Sequence, residues 1–117
     1  MAFEVVTYND GSGAGTGYVG SSNYLAFNVS QRGATNKSLP ANILITHILV
    51  KSVNGATNSL GSAASQESIF PETVFEPGEI TPLPVSVFLP EAINLYVGGI
   101  NVTSRLSFLI IYTNIAL

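Results

Sequence analysis

The side chains able to do acid–base or nucleophilic chemistry are few and scattered. The chain of 117 residues has one histidine, His47, one aspartate, Asp10, and no cysteine. His47 and Asp10 could be joined to a serine only as an unsupported triad, since the G-x-S-x-G nucleophile elbow is absent. Without cysteine there is no disulfide, thiol catalysis, thiolate zinc site or cysteine-bound iron–sulfur cluster. A single histidine excludes a multi-histidine metal site. Lys37 and Lys51 lie in no motif that would make either a nucleophile. Gly15-Thr16-Gly17-Tyr18-Val19-Gly20 matches G-x-G-x-x-G, but that motif holds phosphate only when it opens a helix. Here a strand-like stretch follows, so residues 11–20 read as a flexible glycine-rich loop ordered only by a partner. Asp10 with Ser12 offers one carboxylate, too few for a calcium loop. Glu67, Glu72, Glu76, Glu79 and Glu91 read as solvated loop charge. No cofactor and no metal are expected, and neither is an enzyme.

Two sets of residues remain as binding candidates. Tyr18, Asn23 and Tyr24 flank a Gly/Ser/Asn segment, a composition found at sugar- and protein-binding rims. His47 sits mid-strand among Ile43, Ile45 and Leu49. It reads as a structural histidine, with a pH-sensitive subunit contact as the sharper alternative. The asparagines at 28, 36 and 101 fit the glycosylation pattern by chance, in a chain this rich in Asn, Ser and Thr.

Composition narrows the role further. Charged residues are 9 % of the chain, against about 25 % in an average domain. The net charge is −3, so nucleic-acid binding through a basic footprint is excluded. No secretory signal pattern is visible at Met1–Tyr8, and no apolar run approaches the length of about 20 residues that a membrane helix needs. Synthesis in the cytoplasm is the expectation.

The elements that must position these residues have period two nearly throughout. Leu25, Phe27 and Val29 alternate with Tyr24, Ala26 and Asn28. In the apolar run 42–53, simple alternation puts Leu44, Thr46, Ile48 and Val50 on one face. It puts Ile43, Ile45, His47, Leu49 and Lys51 on the other. Leu106, Phe108, Ile110 and Tyr112 alternate with Leu109, Ile111 and Ile115. Asn54-Gly55 and Glu76-Pro77-Gly78-Glu79 are turns. Gly98-Gly99 reads as a hairpin turn, residues 31–40 as a polar connection, and 56–68 as a loop or poorly paired strand. Pro71 demotes the stretch 69–75 to an edge. About eight short strands without a helix predict a single all-β domain over 1–117. An antiparallel β-sandwich is its expected form, with a jelly roll among the candidates.

A run that is apolar on both faces must be covered on both. A low-charge monomer with such strands would expose large apolar patches. Assembly resolves this, with Ile43, Ile45, His47, Leu49, Leu109 and Ile111 as the expected subunit interface. In its low charge, its Phe75–Glu79 turn and its closing strands over 85–113, the chain resembles small bacteriophage virion proteins of the decoration, cement or minor-capsid type. That resemblance implies a symmetric homo-oligomer, a trimer first, with other virion subunits as further partners and the virion as location. The competing reading is a carbohydrate- or receptor-binding lectin-like sandwich using Tyr18, Asn23 and Tyr24.

Overall fold

A computed structural model of the chain describes residues 15–19, 22–100, 102 and 105–115. Among them are nine strands: β1 Gly15–Val19, β2 Ser22–Val29, β3 Gly33–Leu39, β4 Ile43–Ser52, β5 Ala56–Gly61, β6 Phe70–Phe75, β7 Ile80–Leu89, β8 Ile93–Gly99 and β9 Leu106–Asn114. They form a five-stranded sheet in the order β1-β2-β9-β4-β7 and a four-stranded sheet in the order β3-β8-β5-β6. Every pairing between these strands is antiparallel. The protein is an all-β sandwich. Beyond β1 the pairings nest: β2 with β9, β3 with β8, β4 with β7 and β5 with β6.

Alternation explains which side chains meet between the sheets. Leu25 and Phe27 from β2 and Leu106, Phe108 and Ile110 from β9 face inward. They pack against Leu39, Leu60, Phe70, Phe75, Leu95 and Val97 of the opposite sheet. Phe27 stacks on Phe108 with ring centroids 5.1 Å apart, and Phe108 lies 6.4 Å from Phe70, so aromatic packing bridges the two layers.

Several local expectations change in the fold. Gly15–Val19 forms strand β1, where a loop was expected over 11–20. Thr16, Tyr18 and Val19 are β-prone residues, and pairing with β2 gives the backbone its partners. Residues 11–14 and 20 lie outside the described residues. The polar stretch 33–39 is strand β3, at an edge of its sheet. Its ladder breaks between Ala34 and Ser38, where Asn36 takes φ +63°. The Thr35 hydroxyl donates to the Leu95 carbonyl at 2.9 Å across that break. The stretch 56–61 is β5, paired on both sides. Gly98 and Gly99 end β8 rather than making a turn, because they lie opposite Ser59 and Asn58 of β5. A Cβ on Gly99 would come within 2.7 Å of the Thr57 carbonyl oxygen, so the close approach of β5 requires glycine there.

The proline-marked strands fall at edges, β6 in one sheet and β7 in the other. Pro82 and Pro84 stand two apart, so the missing N–H groups fall on one side of β7, which an edge strand can spare. Gly78, with φ +73°, occupies the position of a type II turn that needs a left-handed residue between β6 and β7.

Candidate functional site

The expected interface residues do not share a face. Alternation over β4 is interrupted by a register shift between Ile45 and His47, in the pairing with both β7 and β9. The extra residue at the bulge moves everything after it to the opposite face. Ile43, Ile45, Ile48 and Val50 all point inward and are fully buried in the main core. Ile43 and Ile45 are therefore unavailable to a subunit contact, contrary to the two-face reading. Leu49, Leu109 and Ile111 do share a surface. They lie on the outer face of the five-stranded sheet with Tyr24 and Ala26, as a second apolar cluster.

His47 is exposed on that same outer face, opposite Ile111 of β9 and Pro84 of β7. Its Nδ1 lies 3.2 Å from the Thr46 hydroxyl, which in turn donates to the Ile111 carbonyl at 3.4 Å. The bulge puts two adjacent residues, Thr46 and His47, at one level of β9, and this makes the contact possible. No group of three or more metal-ligating residues occurs among the described residues. The glutamates at 67, 72, 76, 79 and 91 are all exposed, each in water where nothing fixes it against a reacting group.

The proposed rim is split. Tyr18 stands opposite Asn23 across the β1–β2 hairpin, and Gly17 opposite Tyr24. Tyr24, however, packs half-buried against the apolar cluster of Ala26, Leu109 and Ile111. It has a packing task that a rim residue does not have. A concavity of about 510 Å³ lies elsewhere, on the four-stranded sheet, between Ala63, Ala92, Asn94 and Tyr96.

The remaining surface differs sharply between its sides. The sides formed by β6 and β7 carry exposed apolar groups: Val74 is 65 % exposed, Phe88 46 % and Ile80 38 %. Ile100, just beyond β8, is 63 % exposed. Val74 and Ile100 line one concavity of about 370 Å³ with Ala56, Phe75 and Pro77. Asn58 holds this corner in place. Its buried side-chain amide donates to the Gly98 carbonyl at 2.8 Å and the Ile100 carbonyl at 2.6 Å. Sequence patterning alone had not singled out Asn58, Val74, Phe88 or Ile100. The outward phase of β6 and β7, once their edge position is known, does find Val74, Ile80 and Phe88.

The class defined so far is an antiparallel two-sheet sandwich with apolar side chains exposed at its edges and no assembled catalytic centre among the described residues. No family model and no curated protein match the chain. Two solved structures of the tobacco streak virus coat protein, one of them a dimer, resemble the fold. They have TM-scores of 0.38 and 0.36 and are each 10 % identical. Both matches cover 86 % of this chain, and 91 % and 90 % of the coat protein chains. At these values the likeness carries no functional argument. Among the described residues no helix is long and apolar enough to cross a membrane.

Proposed function

We propose that the protein is a non-enzymatic structural subunit that assembles with copies of itself through its sandwich surface. The kind we favour is a viral capsid or capsid-decoration protein, with a bacteriophage virion as its setting and a trimer as its unit. The observation that carries this reading is the number of exposed large apolar side chains, Val74 on β6, Ile80 and Phe88 on β7 and Ile100, on a chain with 9 % charged residues. Val74 and Ile100, which share one concavity, are the pair that a partner's side chains could pack against. Prolines at both edges, Pro71 in β6 and Pro82 and Pro84 in β7, oppose the addition of a further strand. Contacts would then be made by side chains packed face-on. The nested strand pairing also supports the reading, since it fits a jelly roll as the form of this sandwich, an architecture used by capsid proteins and by lectins alike. Because one fold serves both, the surface has to decide between them.

Sedimentation at micromolar concentration tests the proposal. A defined oligomer is expected, dissociated by Phe88→Ser together with Val74→Ser. A folded monomer that binds oligosaccharides on a glycan array would replace this reading with the lectin-like one.

A further inference from the structure

Strand β8 lies between β3 and β5 in the four-stranded sheet. Its Leu95 and Val97 point into the core, so Asn94, Tyr96 and Gly98 point outward. Tyr96 stands between Ala34 of β3 and Gly61 of β5, and neither has a side chain long enough to cover a ring. The connection from β5 to β6 folds back onto this face. A Cβ on Gly61 would strike the Ser65 carbonyl oxygen, and one on Gly98 would lie 2.8 Å from the Gln66 amide oxygen, so the two glycines admit the connection. The Ser59 hydroxyl donates to the Gln66 carbonyl at 2.8 Å. The backbones of Ser62 and Ser65 bond each other at 3.0 and 3.1 Å. These bonds build a wall before any ligand arrives. That wall and residues 90–92, which precede β8, line the concavity of about 510 Å³ that holds Tyr96 and Asn94.

We propose that this concavity binds a short neutral saccharide, with Tyr96 as the platform and Asn94, Glu91 and Ser62 as hydrogen-bonding partners. Its size falls within the range of about 300–1,000 Å³ of small-molecule sites. The lining selects the class of ligand. Among the described residues that line it, Glu91 is the one charged group, with no lysine, arginine or histidine. A phosphate, sulfate or carboxylate would meet that negative charge without a cation to hold it. One carboxylate is too few for a calcium ion. Tyr96 is the one aromatic residue of the lining, whereas organic cations are held in cages of several rings. A sugar ring asks for what remains: a flat apolar surface for its C–H face and polar groups for its hydroxyls. Tyr96 supplies a rigid ring that is already half-buried. The Asn94 amide donates and accepts, the Glu91 carboxylate accepts, and the Ser62 hydroxyl does either. Asn94 and Glu91 are exposed, which leaves them open to such bonds. The site lies on the opposite sheet from Asn23 and Tyr24 of β2. It goes beyond the assembly role above and does not rest on it.

Saturation-transfer NMR on the full chain tests this. The probes are the methyl glycosides of glucose, galactose, mannose and N-acetylglucosamine, with lactose and maltose, at millimolar concentration. Irradiating the aromatic protons should transfer signal to at least one of these sugars. Tyr96→Ala should weaken that binding about tenfold, with the β-sheet circular dichroism unchanged. Tyr96→Phe keeps the ring and should stay within about threefold. Asn94→Ala should weaken binding about fivefold, the worth of one hydrogen bond. Asn23→Ala, on the other sheet, should change nothing. A folded chain that takes up none of these sugars overturns the proposal. So does binding that survives Tyr96→Ala, or that falls with Asn23→Ala and so belongs to β2. Tetramethylammonium bound in place of any sugar, and lost in Tyr96→Ala, overturns it in favour of an organic cation. If Tyr96→Ala does not fold, Asn94→Ala decides, and unchanged sugar binding there overturns the proposal. Sedimentation of the same samples reads assembly separately, so failure of either reading leaves the other standing.

Discussion

The outer face of the five-stranded sheet has two halves of similar composition and opposite fates. Around β2 and β9, Ala26, Leu109 and Ile111 are closed to water. Around β7, Ile80 and Phe88 remain substantially exposed. Both halves are apolar, so hydrophobicity does not decide which is buried. Position does: one half lies on β2 and β9 in the middle of the sheet, and the other ends in an edge strand broken by two prolines. Apolar side chains at the closed half belong to this molecule's stability. Those at the open half stay exposed, and the proposed assembly would use them.

That contrast can be broken from the inside out. Ile110→Asp places a carboxylate in the main core beneath the closed half, at a cost of more than about 4 kcal/mol. No folded protein should be recovered, as checked by circular dichroism and solubility. Leu109→Ala, in the closed half, should cost about 2–4 kcal/mol, because a covered leucine leaves a cavity when truncated. A urea midpoint close to that of the unaltered chain would show that this half is open after all. Asn58→Ala removes two hydrogen bonds to backbone carbonyls and should cost about 1–3 kcal/mol. It should also loosen Ile100, read as faster amide exchange there. Phe88→Ser, in the open half, should change stability by no more than about 0.5 kcal/mol while weakening self-association by sedimentation. A loss as large as that of Leu109→Ala would erase the distinction between the halves. The smallest effect is expected for His47→Gln, which should leave both stability and assembly unchanged at neutral pH. A turnover lost in that variant with assembly intact would restore the enzyme hypothesis.

Legibility in the sequence varied with how much of the pattern each strand needed. The inward sets of β2 and β9 could be read directly, since both strands alternate without interruption. The edge character of β6 followed from Pro71 alone. β3 and β5 were obscured because they are built from polar or small residues, and their strand state comes from ladder partners far along the chain. Gly98-Gly99 carries the composition of a turn, yet it is held extended by β5, whose backbone comes too close for any side chain. The interface set failed at one residue. The bulge at Thr46 and His47 reverses the phase of β4 and sends Ile43 and Ile45 into the core with Ile48 and Val50.

The sequence by itself determined that the chain is all-β, that titratable groups are too sparse for an evident catalytic constellation, and that the run 42–53 is apolar on both of its faces. Those facts follow from residue types and period-two spacing, which act locally. Only the tertiary structure decided which apolar side chains are core, which are closed on the outer face and which stay exposed. A one-residue bulge or an edge position changes a side chain's environment completely while leaving local composition the same. Burial depends on what lies across the sheet, and that is set by pairings between residues as distant as Leu25 and Ile110.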